Sequence, residues 1–535
     1  MCTRINLGML TATLLCYLAA VLITGWLGAK KTKTSADYMV ANREMNSFLM
    51  AMAYGATFVS TSAIIGFGGA AAAYGMSLLW LTFANLVIGI GISFLVLGKR
   101  TRALGQALDV RTFPDLLGRR YHSGFIHTYA GAMVAVMMPL YAAAVLIGGA
   151  RFLEGVFGLP YWLAYLIVAA VVGWYVFTGG LKAVIYNDAL QGILMITCMT
   201  VIYLTTYLKL GGFTAAHAAL TQMSPLVPPE MARAGHLGWT KMPALGSPNW
   251  WFVTSTLIMG VGVGILAMPT TLTRFFTVPR TREINRALAV AGPFIFLTTG
   301  AAYSVGALSN VWFYRTQGQI AVKAAQGNID RIIPTFIASA FPEYLSYLFV
   351  LCVLAAAMST FSGQIHVIGT ALGYDLSPRA HRQEEIRLRQ SRWGMVVGLA
   401  AAMLVGWLLP GSIVAVATAM TFGFYAAAFL PAYLAGLYWK RVGSVAAAGS
   451  MIAGTLAYWF YMVFVNAREA GVFKLGPALT GRPSLLGYPW SVIDPLTVAL
   501  PISALVLVVL AFVTPPPRPE HLKQVWQALG GSKTK

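Results

Sequence analysis

Charge is what this sequence has least of. Asp, Glu, Lys and Arg make up 10% of the 535 residues, against 58% hydrophobic residues. Soluble domains carry roughly 25% charge. A chain this apolar cannot cover itself with polar surface in water. Its mean hydropathy of +0.71 also excludes disorder and a collagen-like repeat. Cysteine is scarce too. There are four, and Cys16, Cys198 and Cys352 lie in apolar runs. They read as small core residues, which leaves no disulfide framework. The seven histidines form no H-x-x-x-H or H-E-x-x-H pattern, so metal-dependent or acyl-transfer enzymology has no support. No pore-loop motif points to a channel. Acidic residues number 16 against 37 basic ones, a net charge of +21. In a soluble protein that balance suggests nucleic acid. Here the basic residues sit in short loops between apolar runs, where they set topology. The expected partner is the lipid bilayer and not nucleic acid.

Long apolar runs are what the sequence does have. Thirteen are expected to span as helices, near 7–28, 46–75, 77–98, 126–150, 160–178, 186–208, 250–273, 287–312, 344–373, 393–409, 412–438, 444–465 and 492–514. The first is too long for a signal-peptide core and is followed by Lys30, Lys31 and Lys33 instead of a cleavage site, so it is read as retained. With the N-terminus outside, 26 of the 37 Lys and Arg fall on the cytoplasmic side, as the positive-inside rule requires. The whole chain, 1–535, reads as one all-α polytopic membrane domain, with residues 515–535 as a short cytoplasmic tail behind Pro515–Pro517. It is expected in the cell membrane.

Two of these spans break the rules of a plain apolar helix. Span 2 carries Gly55, Thr57, Ser60, Thr61, Ser62, Gly66, Gly68 and Gly69, and span 7 carries Gly260, Gly262, Gly264 and Pro269. Glycine weakens a helix, and Pro269 removes a backbone hydrogen bond. A carbonyl freed in hydrocarbon needs a cavity, an ion or a neighbouring helix. Spans 2 and 7 each open a five-helix unit, 46–208 and 250–438. Because five is odd, the units insert with opposite orientation. Paired interruptions in inverted halves point to a transporter site near the midplane. The flanking pieces are an extra N-terminal helix, 7–28, and two C-terminal helices, 444–514. Span 9 offers a second wall. Ser359, Ser362, Gly363 and His366 share a face, with Thr360 and Gln364 beside them, and His366 is expected in the cytoplasmic vestibule. No Asp or Glu lies in the middle of any span in this reading. A proton carrier usually keeps such a group as its relay, whereas Na⁺ can be held by neutral oxygens. Arg151 is read as an interfacial cation paired with Glu154.

Several segments, in order, resemble the sodium:solute symporter family: Ala36–Asn46 (ADYMVANREMN), Gly148–Glu154 (GGARFLE), Gly179–Gly192 (GGLKAVIYNDALQG), Gly264–Val278 (GILAMPTTLTRFFTV) and Ala355–Gln364 (AAAMSTFSGQ). The resemblance covers roughly residues 10–445 and implies a LeuT-type 5+5 inverted repeat and sodium-coupled uptake of a small organic solute, with Na⁺ as coupling ion and no other cofactor. It implies a sodium site built from the carbonyls of Ala56, Val59 and Ala356 and the hydroxyls of Ser359 and Thr360. Asp188 would lie on the sodium exit route, or be a helix-start carboxylate favoured by the dipole. The solute pocket would draw on Ser60, Ser62, Tyr141, Gly264, Met268, Thr270, Phe361 and Tyr425. The family's proline transporters have an aspartate where Phe58 stands here, and pocket-closing aromatics where Ser62, Gly260 and Gly264 stand. The resemblance therefore implies a roomier pocket for which proline is not the default solute, and a carboxylate or amino-acid-like compound as the expected one. A solute sensor of the same fold and a proton-coupled carrier are the alternatives.

Overall fold

The computed structural model describes residues 6–377, 383–409 and 414–530. Among these described residues the regular structure is helical, and 11 helical segments are long and apolar enough to cross a membrane. Two of these segments are longer than one crossing because the chain turns inside them. In Tyr161–Lys209 the turn is at Gly180 (φ 54°, ψ −144°). The flanking Tyr175 and Asn187 both approach Gly25 within 3.3 Å of its Cβ position, although twelve helical residues would separate them by about 18 Å. The chain therefore reverses at Gly180. A side chain there would also strike the Tyr38 carbonyl at 2.6 Å, so the position needs glycine on two counts. In Ser62–Ala107 the equivalent interruption is Gly75 (φ 78°), packed on the Trp239 backbone.

Burial sorts the helices into an inner and an outer set. Glu343–Asp375 and Val414–Tyr438 are each 89% buried over their apolar windows, whereas Gly8–Lys30 and Leu496–Val513 are 22% and 28% buried. The outer helices turn Met9, Leu15, Ile23, Leu505, Val509 and Phe512 outward, as lipid-facing surfaces do. Cys16 belongs to that exposed face, so its assignment to the core is corrected. Cys198 and Cys352 are buried as free thiols.

Loops close over the helix ends. The carbonyls that end the helix Phe67–Tyr74 have no partners within it. Trp239 Nε1 and Asn310 Nδ2 each donate to the Ala72 carbonyl at 2.8 Å, and His236 Nε2 meets the Ala73 carbonyl at 2.9 Å. The region after Pro517 is more than a tail. Pro519–Gly530 forms a helix that buries Val525 and Leu529, with His521 Nε2 on the Arg120 carbonyl at 2.9 Å.

Candidate ion and solute site

Both expected interruptions are present. The helix Ser47–Phe58 stops where Val59 turns extended (φ −84°, ψ 91°), its last bond running from the Val59 N–H to the Gly55 carbonyl. Helical bonding resumes with the Ala63 N–H on the Ser60 carbonyl at 3.0 Å. In the second broken helix Met268 is extended (φ −73°, ψ 115°), and Pro269 opens the next segment. Proline suits this place because the first helical position needs no N–H donor.

The carbonyls freed at the first break are met by the helix Glu343–Thr370. Ser359 Oγ donates to the Ala56 carbonyl at 2.9 Å and lies 3.4 Å from the Ala356 carbonyl. Thr360 Oγ1 donates to the Thr57 carbonyl at 3.1 Å and lies 3.4 Å from that of Ala56. Ala56, Ala356, Ser359 and Thr360 thus converge, with the fully buried Val59 at the break beside them. Thr57 joins them although the sequence reading did not select its carbonyl. The group is composed of hard neutral oxygens, the donor set that suits an alkali cation.

Directly against this group lies an ion pair that the sequence did not disclose. Arg274 Nη2 donates to Asp188 Oδ2 at 2.9 Å and to Thr57 Oγ1 at 2.8 Å. Thr57 Oγ1 itself donates to Asp188 Oδ2 at 3.2 Å. Both charged residues are buried. Gly363 makes the room: its Cβ position would lie 3.3 Å from Arg274 Nη2. Two expectations change. With span 7 expected to end at 273, Arg274 falls among the 26 cytoplasmic charges; it lies inside the protein. Asp188 had been placed at a helix start, and the absence of mid-span acids followed from that. The helix resumes after Gly180, which puts Asp188 about 12 Å along it. That is beyond the first turn, where a dipole acts.

The solute candidates divide. Tyr141 is buried with its hydroxyl facing Ser60, and its ring meets Phe422 edge-on at 5.3 Å. Phe58 approaches Phe422 at 6.5 Å. The Cβ position of Gly264 lies 2.5 Å from Phe422 Cβ, so Phe422 fills the space that made the pocket look roomier. Phe422 is the residue the sequence reading missed, one turn from the selected Tyr425. Tyr425 faces the Val134 carbonyl at 3.5 Å and stacks on Phe429. Ser62 accepts from Thr418 at 2.7 Å, and the Ser60 hydroxyl accepts from the Ser62 N–H at 3.1 Å. Met268, Thr270 and Phe361 are buried at the second break and on the Ser359 helix. His366 is not in an open vestibule: it is buried, with Nε2 on the Tyr38 carbonyl at 3.0 Å. Arg151 pairs with Glu154 at 2.8 Å as expected.

Two broken helices, a hydroxyl-bearing neighbour and a lipid-facing exterior define a multi-pass membrane transporter rather than an enzyme. The sodium:solute symporter family model matches residues 38–454, and the chain belongs to that family, whose coupling ion is Na⁺. It is 25% identical over 472 residues to the osmoregulated proline transporter of Bacillus subtilis (strain 168), covering 86% of this chain and 90% of that protein. It is 27% identical over 441 residues to a sodium/pantothenate symporter of Haemophilus influenzae, covering 80% of this chain and 85% of the relative. Among solved structures, the substrate-bound outward-open state of a Na⁺-coupled sialic acid symporter superposes with a TM-score of 0.73 at 16% identity. That match covers 95% of this chain and 98% of the other; it supports the fold alone.

Proposed function

We propose that the protein imports a small organic solute, a carboxylate or amino-acid-like compound, by sodium symport and alternating access. In this reading thirteen helices cross the membrane, the N-terminus is outside and the C-terminus cytoplasmic, and 46–208 and 250–438 are inverted repeats. Na⁺ is held by the carbonyls of Ala56, Val59 and Ala356 and the hydroxyls of Ser359 and Thr360. Asp188 receives it on the inward route. The solute lies beside Ser60, Ser62, Tyr141, Gly264, Met268, Thr270 and Phe361, with Phe422 in the role first given to Tyr425. The observation that carries the reading is the seating of the Ser359 and Thr360 hydroxyls on carbonyls released by the break at Val59. The oxygens gathered at the break are neutral carbonyls and hydroxyls, which favours Na⁺ over a proton as the coupling ion.

Coupling requires that Na⁺ bind one state better than the other. A potential of 100 mV contributes about 2.3 kcal/mol per Na⁺, and a tenfold gradient about 1.4 kcal/mol. Together they hold a neutral solute at roughly 500-fold accumulation per ion. For a monoanion moving with one Na⁺ the voltage contribution cancels. The test is uptake into proteoliposomes, comparing proline, pantothenate and a panel of small acids and amino acids. Accumulation that requires an inward Na⁺ gradient is expected; binding without transport would mark a sensor. Ser359→Ala and Thr360→Ala should each weaken half-saturation by Na⁺ about tenfold, as loss of a ligand worth 1–2 kcal/mol would. Unchanged sodium dependence would remove these two residues from the ion site.

A further inference from the structure

A cavity of about 380 Å³ opens next to the first broken helix, lined among others by Gly66, Tyr74, Phe252, Asn328, Asp330 and Arg468. Its floor is close to the central site. Gly66 is one helical turn beyond Ser62, and its Cβ position lies 3.2 Å from Ala415, the residue after Val414, whose carbonyl faces Ser62 Oγ at 3.5 Å. With the N-terminus outside, this is the entry side.

The lining carries opposite charges on separate elements. Asp330 sits on the short turn Ile329–Arg331, held there by Asn328, whose side chain accepts from the Asp330 N–H at 3.0 Å. The turn packs closely on the helix beside it: the Cβ position of Gly69 is 2.2 Å from the Ile329 carbonyl. Asp330 Oδ2 is buried without a hydrogen-bond partner. Burial alone pushes this carboxyl up to about 6, because no cation compensates it. Arg468 stands on the helix Ala467–Phe473, with its guanidinium 3.6 Å over the Phe252 ring. Stacking leaves the edge N–H groups of an arginine available, and a carboxylate fits that fork. The remaining wall is apolar, with Leu257 and Val472 beside the rings. The volume falls in the range of small-ligand pockets, about 300–1,000 Å³.

We propose that this cavity is an entry subsite for a zwitterionic, amino-acid-like solute, with Asp330 taking the ammonium group and Arg468 the carboxylate. The solute's apolar part rests on Phe252 and Tyr74. The subsite selects on charge before the solute reaches Ser62. It also narrows the solute class left open above, and rests on the reading of this face as the outer one of a symporter. A simple anion would meet Arg468 but also the Asp330 carboxylate, so the pair discriminates against it.

The test is equilibrium binding to the purified full-length protein in detergent with Na⁺ present, using the twenty amino acids as probes. Each amino acid that binds is then measured as its N-acetyl and carboxamide derivatives. At least one zwitterion should bind, and both derivatives should bind at least tenfold more weakly. Asp330→Asn and Arg468→Gln should each raise the Kd for the zwitterion at least tenfold and raise KM for its uptake. A Na⁺-dependent thermal shift in both variants reports an intact fold and ion site. Binding of none of the twenty, or equal binding of the derivatives, overturns the proposal, as does wild-type affinity in both variants. Na⁺-driven uptake with unaltered KM in both variants rejects the subsite and leaves symport standing. Loss of binding in the variants, with no Na⁺-driven uptake by the parent, rejects symport and leaves the subsite.

Discussion

Removing either charge of the Asp188–Arg274 pair should cost far more than removing both. Arg274 is 1% exposed and Asp188 0%, so neither can swing into water when its partner goes. Breaking a buried pair from one side typically costs 3–5 kcal/mol, whereas replacing both members by apolar residues of similar volume is often neutral. The pair is only partly satisfied: Arg274 Nε and Nη1 are buried with no hydrogen-bond partner. That lowers what the intact pair contributes without lowering the cost of orphaning one member. We therefore expect Asp188→Asn and Arg274→Met each to lose about 3–5 kcal/mol. Asp188→Leu combined with Arg274→Met should lose about 1 kcal/mol or less. The implied coupling of several kcal/mol far exceeds the roughly 0.3–0.5 kcal/mol scatter of independent sites. Equilibrium unfolding in mixed micelles would measure it. Transport gives a second readout, because Thr57 ties the pair to the Ala56–Thr360 group through its hydroxyl. The apolar double variant should be stable and still defective in Na⁺-dependent uptake. Single variants that lose less than about 1 kcal/mol, or an additive double variant, would refute the reasoning.

Other positions give sharper, smaller tests. Gly264→Ala puts a methyl 2.6 Å from the Phe422 backbone, which cannot yield, whereas at Gly260 the nearest atom is 3.6 Å away. Uptake should fall at least tenfold in Gly264→Ala and stay near normal in Gly260→Ala; equal rates in the two would count against Phe422 as the packing partner. Glu469, on the loop helix Ala467–Phe473, is buried with both carboxylate oxygens unpartnered. Burial, and next to it the Asp494 carboxylate, hold its carboxyl well above the usual range. The native state then keeps a proton that the unfolded chain releases above about pH 4.3. Its stability should fall as pH rises from there through the folded-state value. Glu469→Gln should raise the thermal midpoint at pH 8 and flatten its pH dependence, and an unchanged slope would exclude Glu469 as the titrating group.

The features legible in the sequence were those set by local backbone chemistry. Gly55 through Ser62 and the Met268–Pro269 step announce interrupted helices because glycine, hydroxyl residues and proline act on their own segment. Ser359 and Thr360 stood out because a polar pair on an otherwise apolar helix is costly unless it meets a partner. What stayed hidden depends on rotation or on distant partners. Phe422 and Tyr425 are one turn apart on one helix, and only packing decides which of them faces Gly264. Arg274 reads as a loop cation until Asp188, 86 residues earlier in the chain, is seen to face it across Gly363. Cys16 and Cys198 sit in equally apolar sequence, yet one faces outward and the other inward.

The bonds that join the first broken helix to the Ser359 helix also constrain how an ion can drive this protein. The Ser359 and Thr360 hydroxyls already donate to the Ala56 and Thr57 carbonyls, so those two helices are bridged by hydrogen bonds before any cation is considered. A Na⁺ at the same place takes the carbonyl and hydroxyl lone pairs, and each hydroxyl proton must turn to another acceptor. For Ser359 the Ala356 carbonyl is near, at 3.4 Å, and a carbonyl's second lone pair can accept the proton while its first faces the ion. Ion binding is thus an exchange of bridges, not the filling of an unconnected hole. Interhelical hydrogen bonds in membranes contribute only about 0.6–2 kcal/mol. With two such bonds exchanged, the cost is comparable with the roughly 2.3 kcal/mol that 100 mV adds per Na⁺, and the ion's own coordination has to offset it. Differential affinity then comes from the geometry of the two helices: moving them apart by an ångström or two spoils the ion's coordination, while one hydroxyl can still follow one carbonyl.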